Sequence, residues 1–332
     1  MTGTGDVTGV PRVVQPPGMT GVDPLTAPLT YPGVPPRRPA VLVTDAQVIG
    51  LQPLRDAPLG EWTLRLRAGA EASGTNSGTN TGTTAADKAD ASDAYGTGAE
   101  AGDAGVNGTG PGDADANGTG ARGRSGGQDV PLDWFLRNAG GTLALSRIPV
   151  LAVGSNASPA QVRRKMANAR LPTLVPITAV NVRGLAVGIS AHISRPGYLP
   201  ATPVPDAGAV SNLWVVWLDA DALRAMDATE PNYQRIRLSS RYAVQLTPGR
   251  PVAGCWVYVS RHGYLLNAAG DPRRLTDQAT LITALLAEIP ALPPLAGTTP
   301  QEWIERTRDT GIRNTVREVF RRAGLVRRPT GF

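Results

Sequence analysis

Apolar and polar positions fall into distinct periods along this chain. Pro39 to Leu54 reads PAVLVTDAQVIGLQPL. Two apolar runs, Ala40–Val43 and Val48–Ile49, flank the polar break Thr44-Asp45-Ala46, which predicts a β-hairpin. In WTLRLR, Trp62 to Arg67, apolar and polar residues alternate as in a half-buried strand. RIPVLAV, Arg147 to Val153, is a short continuous apolar run and predicts another strand. LVPITAVNVRGLAVGISAHIS, Leu174 to Ser194, holds two strand-like runs, RPGYLPATPVPDAG reads as a long loop, and AVSNLWVVWL, Ala209 to Leu218, is a further strand. Two more are expected in YQRIRLSSRYAVQL and PVAGCWVYVS.

Elsewhere the period is helical. Leu132, Phe135, Leu136 and Ala139 share one face, and Gly140-Gly141 can stop the helix. Ser158 at the N-cap and Pro159 at the first helical position open SPAQVRRKMANAR. In DADALRAMDATE, Asp219 is the cap and Leu223 and Met226 face inward. LTDQATLITALLAEI and TPQEWIERTRDTGIRNTVREVFRRAGL place further helices late in the chain. Six to eight strands, mostly antiparallel by connection length, with helices clustered late, predict an α+β fold: a small mixed or antiparallel β-barrel flanked by helices. The regular strand–helix alternation of a doubly wound sheet is absent.

Composition divides the chain. Residues 1–38 are rich in Pro, Gly and Thr and predict a flexible N-terminal segment. Residues 39–68 predict strands that pack on the later sheet, being too few to fold alone. From 69 to 128 the chain is Gly, Ala, Thr, Asn, Ser and Asp, with Tyr95 and Val106 its only large apolar residues. Such a segment cannot bury enough surface to offset backbone ordering, so a long disordered insertion is expected. Residues 129–326 then form the main domain with its C-terminal helices.

The formal net charge is +6. Eight arginines lie between Arg306 and Arg328, interleaved with Glu302, Glu305, Asp309 and Glu318. A mixed-sign helix is a solvated face, and no basic motif interleaved with aromatics is present, so no nucleic-acid partner is expected. Cys255 is the single cysteine, which excludes an internal disulfide. Cys255, His192 and His262 are too few and scattered for a structural zinc site. MTGTGDVTGVPRVVQPPG lacks a charged start before an apolar core, and no apolar run approaches the ~18 residues that span a bilayer. A soluble cytoplasmic protein without a membrane partner is expected. Its oligomeric state is unknown from sequence.

Candidate chemistry starts at LAVGSNAS, Leu151 to Ser158. Gly154-Ser155-Asn156 suits a tight strand-to-helix turn. The same residues leave backbone N–H groups that can cradle an oxyanion or carboxylate. A serine-hydrolase elbow needs Gly-x-Ser-x-Gly, and the order here is Gly-Ser-Asn-Ala-Ser. Glu230 ends a short helix just before Pro231. A solvated carboxylate is the ordinary reading, but a negative charge at a helix C-terminus is mildly unfavourable, which hints at another task. Arg261 and His262 follow the last predicted strand; they could line the same cleft, but a plain loop is the ordinary reading.

Together these segments resemble the gamma-glutamylcyclotransferase-like proteins. Those carry Tyr-Gly-Ser-Asn at the end of a first barrel strand, matched by Val153-Gly154-Ser155-Asn156. They also carry an Asp-x-x-x-Leu-x-x-Leu-Asp-x-x-Glu helix followed by Tyr and Arg. Asp219, Leu223, Met226, Asp227, Glu230, Tyr233 and Arg235 match that helix, and Tyr258 matches a later strand tyrosine. The resemblance spans about Ile148 to Ile289. It implies a small β-barrel and cyclisation of a γ-glutamyl amine or peptide to 5-oxoproline, without metal or cofactor. By position, Glu230 would be the general base and acid. Val153, Gly154, Ser155 and Asn156 would hold the substrate, with Tyr233 and Tyr258 as pocket walls or donors. The chain departs from the pattern in two places: Val153 replaces the motif tyrosine, and the interval from Glu230 to Tyr233 is short and contains Pro231. A non-catalytic ligand-binding or interaction module on the same fold is the alternative, and the position of Glu230 relative to the Gly154–Asn156 amides separates the two.

Overall fold

The computed structural model describes residues 13–14, 23–66, 128–247 and 249–332. Residues 1–12 and 15–22 of the expected flexible segment lie outside the described residues, as does the expected insertion of 69–128 except its last residue. Residues 23–38 pack against the fold. They include a single 3₁₀ turn, Pro28–Thr30, and Tyr31 joins the main hydrophobic core.

The hairpin forms as the pattern predicts, with β1 (Ala40–Thr44) antiparallel to β2 (Val48–Gln52). β3 (Thr63–Leu66) and β4 (Gln128–Pro131) extend it, and α1 (Leu132–Asn138) follows directly. β5 (Ile148–Ala152) carries the chain into α2 (Pro159–Asn168). Two long strands come next, β6 (Leu174–Ile189) and β7 (Ala201–Leu218), then α3 (Ala220–Ala228). β8 (Tyr233–Arg237), β9 (Val244–Leu246) and β10 (Trp256–Ser260) also join the main sheet, and the two-residue strand Val13–Val14 pairs parallel with β7. The chain ends with α4 (Gln278–Glu288), α5 (Pro293–Ala296), α6 (Pro300–Arg306) and α7 (Thr310–Arg322).

The strand order is β4-β3-β2-β1-β6-β7-β5-β10-β8, with β9 paired to β6. All these pairings are antiparallel except β5 with β10. The expected α+β class is present, but the expected barrel is not closed among the described residues. The end strands β4 and β8 are four and five residues long and expose Asp129, Gln234 and Arg237. Short polar edges of this kind do not recruit one another.

Two expectations about individual strands changed as well. The two runs in 174–194 are mostly one 16-residue strand, β6, with a register shift between Arg183 and Leu185. Gly184 sits there at φ 82°, a left-handed geometry that absorbs the irregularity. The expected loop 195–208 instead supplies, from residue 201, the first part of β7. Pro203 and Pro205 are two residues apart, so their missing donors fall on one edge of the strand and need not break its pairing with β6.

β5 shows why its apolar run is continuous. Val150 and Ala152 pack into one hydrophobic cluster with Val162 and Met166 of α2 and Leu223 and Met226 of α3. Leu151, between them, faces the larger cluster that contains α4, α6 and α7 through Leu285, Trp303 and Phe320. A strand covered on both faces has no polar side to alternate with. Burial of α2 and α3 on one sheet face sets two helix termini beside the end of β5. No helix among the described residues is long and apolar enough to cross a membrane.

Candidate functional site

β5 ends at Ala152, and Val153-Gly154 leads into a 3₁₀ turn, Ser155–Ala157. The turn's own bonds use the amides of Ala157, to Gly154 O at 3.1 Å, and of Ser158, to Ser155 O at 2.9 Å. The amides of Ser155 and Asn156 take no part in them. Ser158 occupies the N-cap of α2 as expected, though its hydroxyl makes no cap bond. Asp219 does cap α3, accepting from Ala222 N at 2.9 Å.

Beyond α3, Thr229 and Glu230 turn back over α2. Asn156 Nδ2 donates to Glu230 Oε1 at 3.0 Å. Lys165 Nζ donates to the same Oε1 at 2.7 Å and to Asn156 Oδ1 at 2.7 Å, and lies 3.4 Å from Met226 Sδ. Both charged side chains are largely out of water, at 8% and 15% exposure for Lys165 and Glu230. Glu230 is therefore the inward partner of the Gly154–Asn156 turn and not a solvated helix-end carboxylate. Arg235 does not compete for it. Its guanidinium forms a bidentate pair with Asp227, at 2.9 and 3.0 Å, and stacks 4.7 Å from the Trp256 ring centroid. Burial pushes the Asp227 carboxyl up, but hydrogen bonds from Arg235 and Tyr258 outweigh it and hold it below the usual value.

A cavity of about 640 Å³ joins these elements. Val153, Gly154, Ser155, Asn156, Glu230, Tyr233 and Tyr258 all line it, so the residues expected to hold or act on a substrate reach one space, whereas Arg261 and His262 do not line it. The tyrosine hydroxyls are committed inside the protein. Tyr258 Oη donates to Asp227 Oδ1 at 2.6 Å, and Tyr233 Oη donates to Ala201 O at 2.8 Å. Both residues therefore present ring surface to the cavity.

Several lining residues escaped sequence reasoning. Tyr31 stacks on Tyr198 with centroids 4.3 Å apart, and Tyr31 Oη accepts from Ala201 N at 2.8 Å. That oxygen lies directly over Gly154, 2.3 Å from where a Cβ would stand. Burial raises the hydroxyls of Tyr31, Tyr198 and Tyr233, so all three are neutral phenols at ordinary pH. No local pattern places Tyr31 there, because its partners are more than a hundred residues away. Lys165 did leave a signal: it is a lysine on the same stripe of α2 as Val162 and Met166.

His192 also lines the cavity. Its Nδ1 lies 2.5 Å from Ser190 Oγ, which in turn lies 2.6 Å from Ser260 Oγ. Burial, with lesser effects from His262 and Arg317, pushes the ring down to about 3, so it is neutral at physiological pH. Arg164 and Arg195 stand with Lys165 around the space. The lining has three cationic side chains against one carboxylate, a balance suited to a carboxylated ligand. No group of three or more His, Cys, Asp or Glu residues able to hold a metal ion is found among the described residues.

No family model matches this chain, and no curated protein matches it. Among solved structures, one described as gamma-glutamyl cyclotransferase is similar at 13% identity and a TM-score of 0.29; the match covers 52% of this chain and 98% of that one. An uncharacterised protein from Homo sapiens is similar at 15% identity and a TM-score of 0.29, with the same coverage of 52% and 98%. No residue's role follows from likeness at this level.

Proposed function

We propose that this chain is a gamma-glutamylcyclotransferase-like enzyme, converting a small γ-glutamyl amine or peptide to 5-oxoproline and a free amine. One observation carries the reading: Glu230 sits inside the cavity in hydrogen-bond contact with Asn156 of the turn. In this scheme the turn amides and the cationic rim hold the substrate's α-carboxylate. Glu230 takes a proton from the α-ammonium. The freed amine attacks the γ-carbonyl carbon of the same residue, forming the ring C–N bond. Collapse of the tetrahedral oxyanion breaks the bond to the departing nitrogen, which receives the proton from Glu230, while the ring nitrogen gives up its second proton to become the neutral lactam and the amine leaves as an ammonium. Because the attack is intramolecular, positioning supplies much of the rate. Both Lys165 and Asn156 bond Oε1 of Glu230, which leaves Oε2 as the basic oxygen. Tyr31 Oη accepts from Ala201 N, so its own O–H is not consumed by that bond and would donate to the substrate in this scheme.

A second reading, a non-catalytic ligand-binding or interaction module, is favoured by one observation. Lys165 already gives Glu230 a buried cationic partner, as a purely structural carboxylate has. Incubation with a panel of γ-glutamyl dipeptides and amines, followed by assay of 5-oxoproline, separates the two. Turnover is expected from the parent chain and a loss of at least about 100-fold from Glu230→Gln. Absence of product from the parent across the panel overturns the enzyme reading and favours the binding module.

A further inference from the structure

A second cavity, of about 540 Å³, lies behind the first, between the turn after β10, helix α7 and the last residues of the chain. Arg261, Arg317, Arg321 and Arg328 line it, and the one carboxylate there, Glu318, is engaged by Arg321 and Arg322. Arg261, Arg317 and Arg328 have no carboxylate partner among the described residues. Guanidinium groups that converge on a concave surface repel one another, and they are relieved by an oxyanion that takes several donors at once.

Arg317 currently spends one donor on a weak acceptor. Its guanidinium nitrogen lies 2.8 Å from His262 Nδ1. A guanidinium only donates, so Nδ1 accepts and the ring proton is on Nε2. Nε2–H then donates to Asn232 Oδ1 at 2.9 Å. Asn232 lines the Glu230 cavity and belongs to the loop that carries Glu230. His262 and His192, the only histidines in the chain, lie ring to ring at 4.7 Å, one lining each cavity. Behind them the His262 amide donates to Ser260 Oγ at 3.1 Å, which continues to Ser190 and His192. The wall between the two spaces is thus a hydrogen-bonded unit and not inert packing.

We propose that the arginine-lined cleft binds a small multivalent oxyanion of the phosphate or diphosphate class, and that its occupation is felt in the Glu230 cavity through Arg317, His262 and Asn232. An anion draws Arg317 from His262 Nδ1, and the bond that orients the imidazole toward Asn232 is loosened. Neither part depends on the reaction proposed for Glu230.

The test is calorimetric titration of the full chain with inorganic pyrophosphate. Saturable binding is expected. It should weaken at least about tenfold in Arg317→Gln/Arg328→Gln, since each removed guanidinium deletes charge-assisted bonds. Arg306→Gln, on the separate helix α6, should bind as the parent does. Arg328→Gln alone, on the exposed tail, keeps the test valid if the double variant fails to fold. Absence of binding, or equal binding by the Arg317 and Arg328 variants, overturns the site. A short RNA that binds where pyrophosphate does not overturns the small-ligand assignment. For the coupling, nitrogen NMR of the two histidines is expected to show the His262 ring signals moving with pyrophosphate. Unmoved signals at saturation overturn it.

Discussion

The contact between Lys165 and Glu230 is the most consequential at the scale of single residues. Two opposite charges taken largely out of water cost desolvation that their attraction and the Asn156 bonds must offset. Their value is positional: Lys165 spans Oε1, Asn156 Oδ1 and Met226 Sδ, so it fixes the carboxylate against the turn. Lys165→Met leaves the carboxylate without its cation and is expected to destabilise the fold by on the order of 3 kcal/mol in urea unfolding. Adding Glu230→Gln to that variant should recover most of the loss, because no unpaired charge then remains. A double change no more stable than the single one would mean that the pair is screened by water in the cavity. Glu230 was legible because its charge sat awkwardly at a helix end before a proline. Tyr31 was not, since nothing within its own stretch of sequence distinguishes a tyrosine that will lie over Gly154 from one on a surface loop.

Between elements, the site is the place where the end of β5 meets the C-terminal side of α3. Gly154 keeps that junction open. A Cβ there would stand 2.3 Å from Tyr31 Oη and 3.2 Å from Ala201 Cβ. Gly154→Ala is expected to cost about 1–3 kcal/mol through overpacking, seen as a lowered Tm. Tyr31→Phe in the same chain removes the oxygen in the way and should restore part of the Tm. Failure to restore it would place the strain on the Ala201 side. Asp219 holds the other end of α3, and its carboxylate also lies 3.6 Å from the buried Arg147. Asp219→Ala is expected to cost about 1–2 kcal/mol by thermal unfolding, the size of a lost cap. These elements could be read from sequence because capping residues and apolar stripes are local signals. The long strands β6 and β7 could not. A proline-bearing segment reads as a loop until a partner strand accepts the edge that needs no donor.

At the scale of the molecule, the two histidines tie acid stability to the wall between the cavities. Burial, then His262 and Arg317, lower His192 from 6.5 to about 3. The folded ring stays neutral where the unfolded ring gains a proton. Stability from this group is therefore complete above about pH 6.5 and is lost as pH falls from there toward about 3, by at most about 1.4 kcal/mol per pH unit. His262 is lowered as well, first by burial and then by Arg317, and adds a loss of the same sign. The expected measurement is a urea midpoint that falls between pH 7 and pH 5 in the parent and falls less steeply in His192→Gln. Equal slopes would remove His192 from the account. The chain's one-dimensional pattern determined the α+β class, the β5–turn–α2 unit and the Asp219-capped helix, because period, caps and turn residues act over a few positions, whereas the partnership of Gly154–Asn156 with Glu230 was expected only from the family resemblance. Tertiary structure alone decided that the sheet stays open among the described residues, that Lys165 and Tyr31 complete the cavity, and that arginines read as a solvated face converge with His262 on a second one. Those outcomes depend on which distant segments share a face, and burial and electrostatics take their values only after the chain has brought them together.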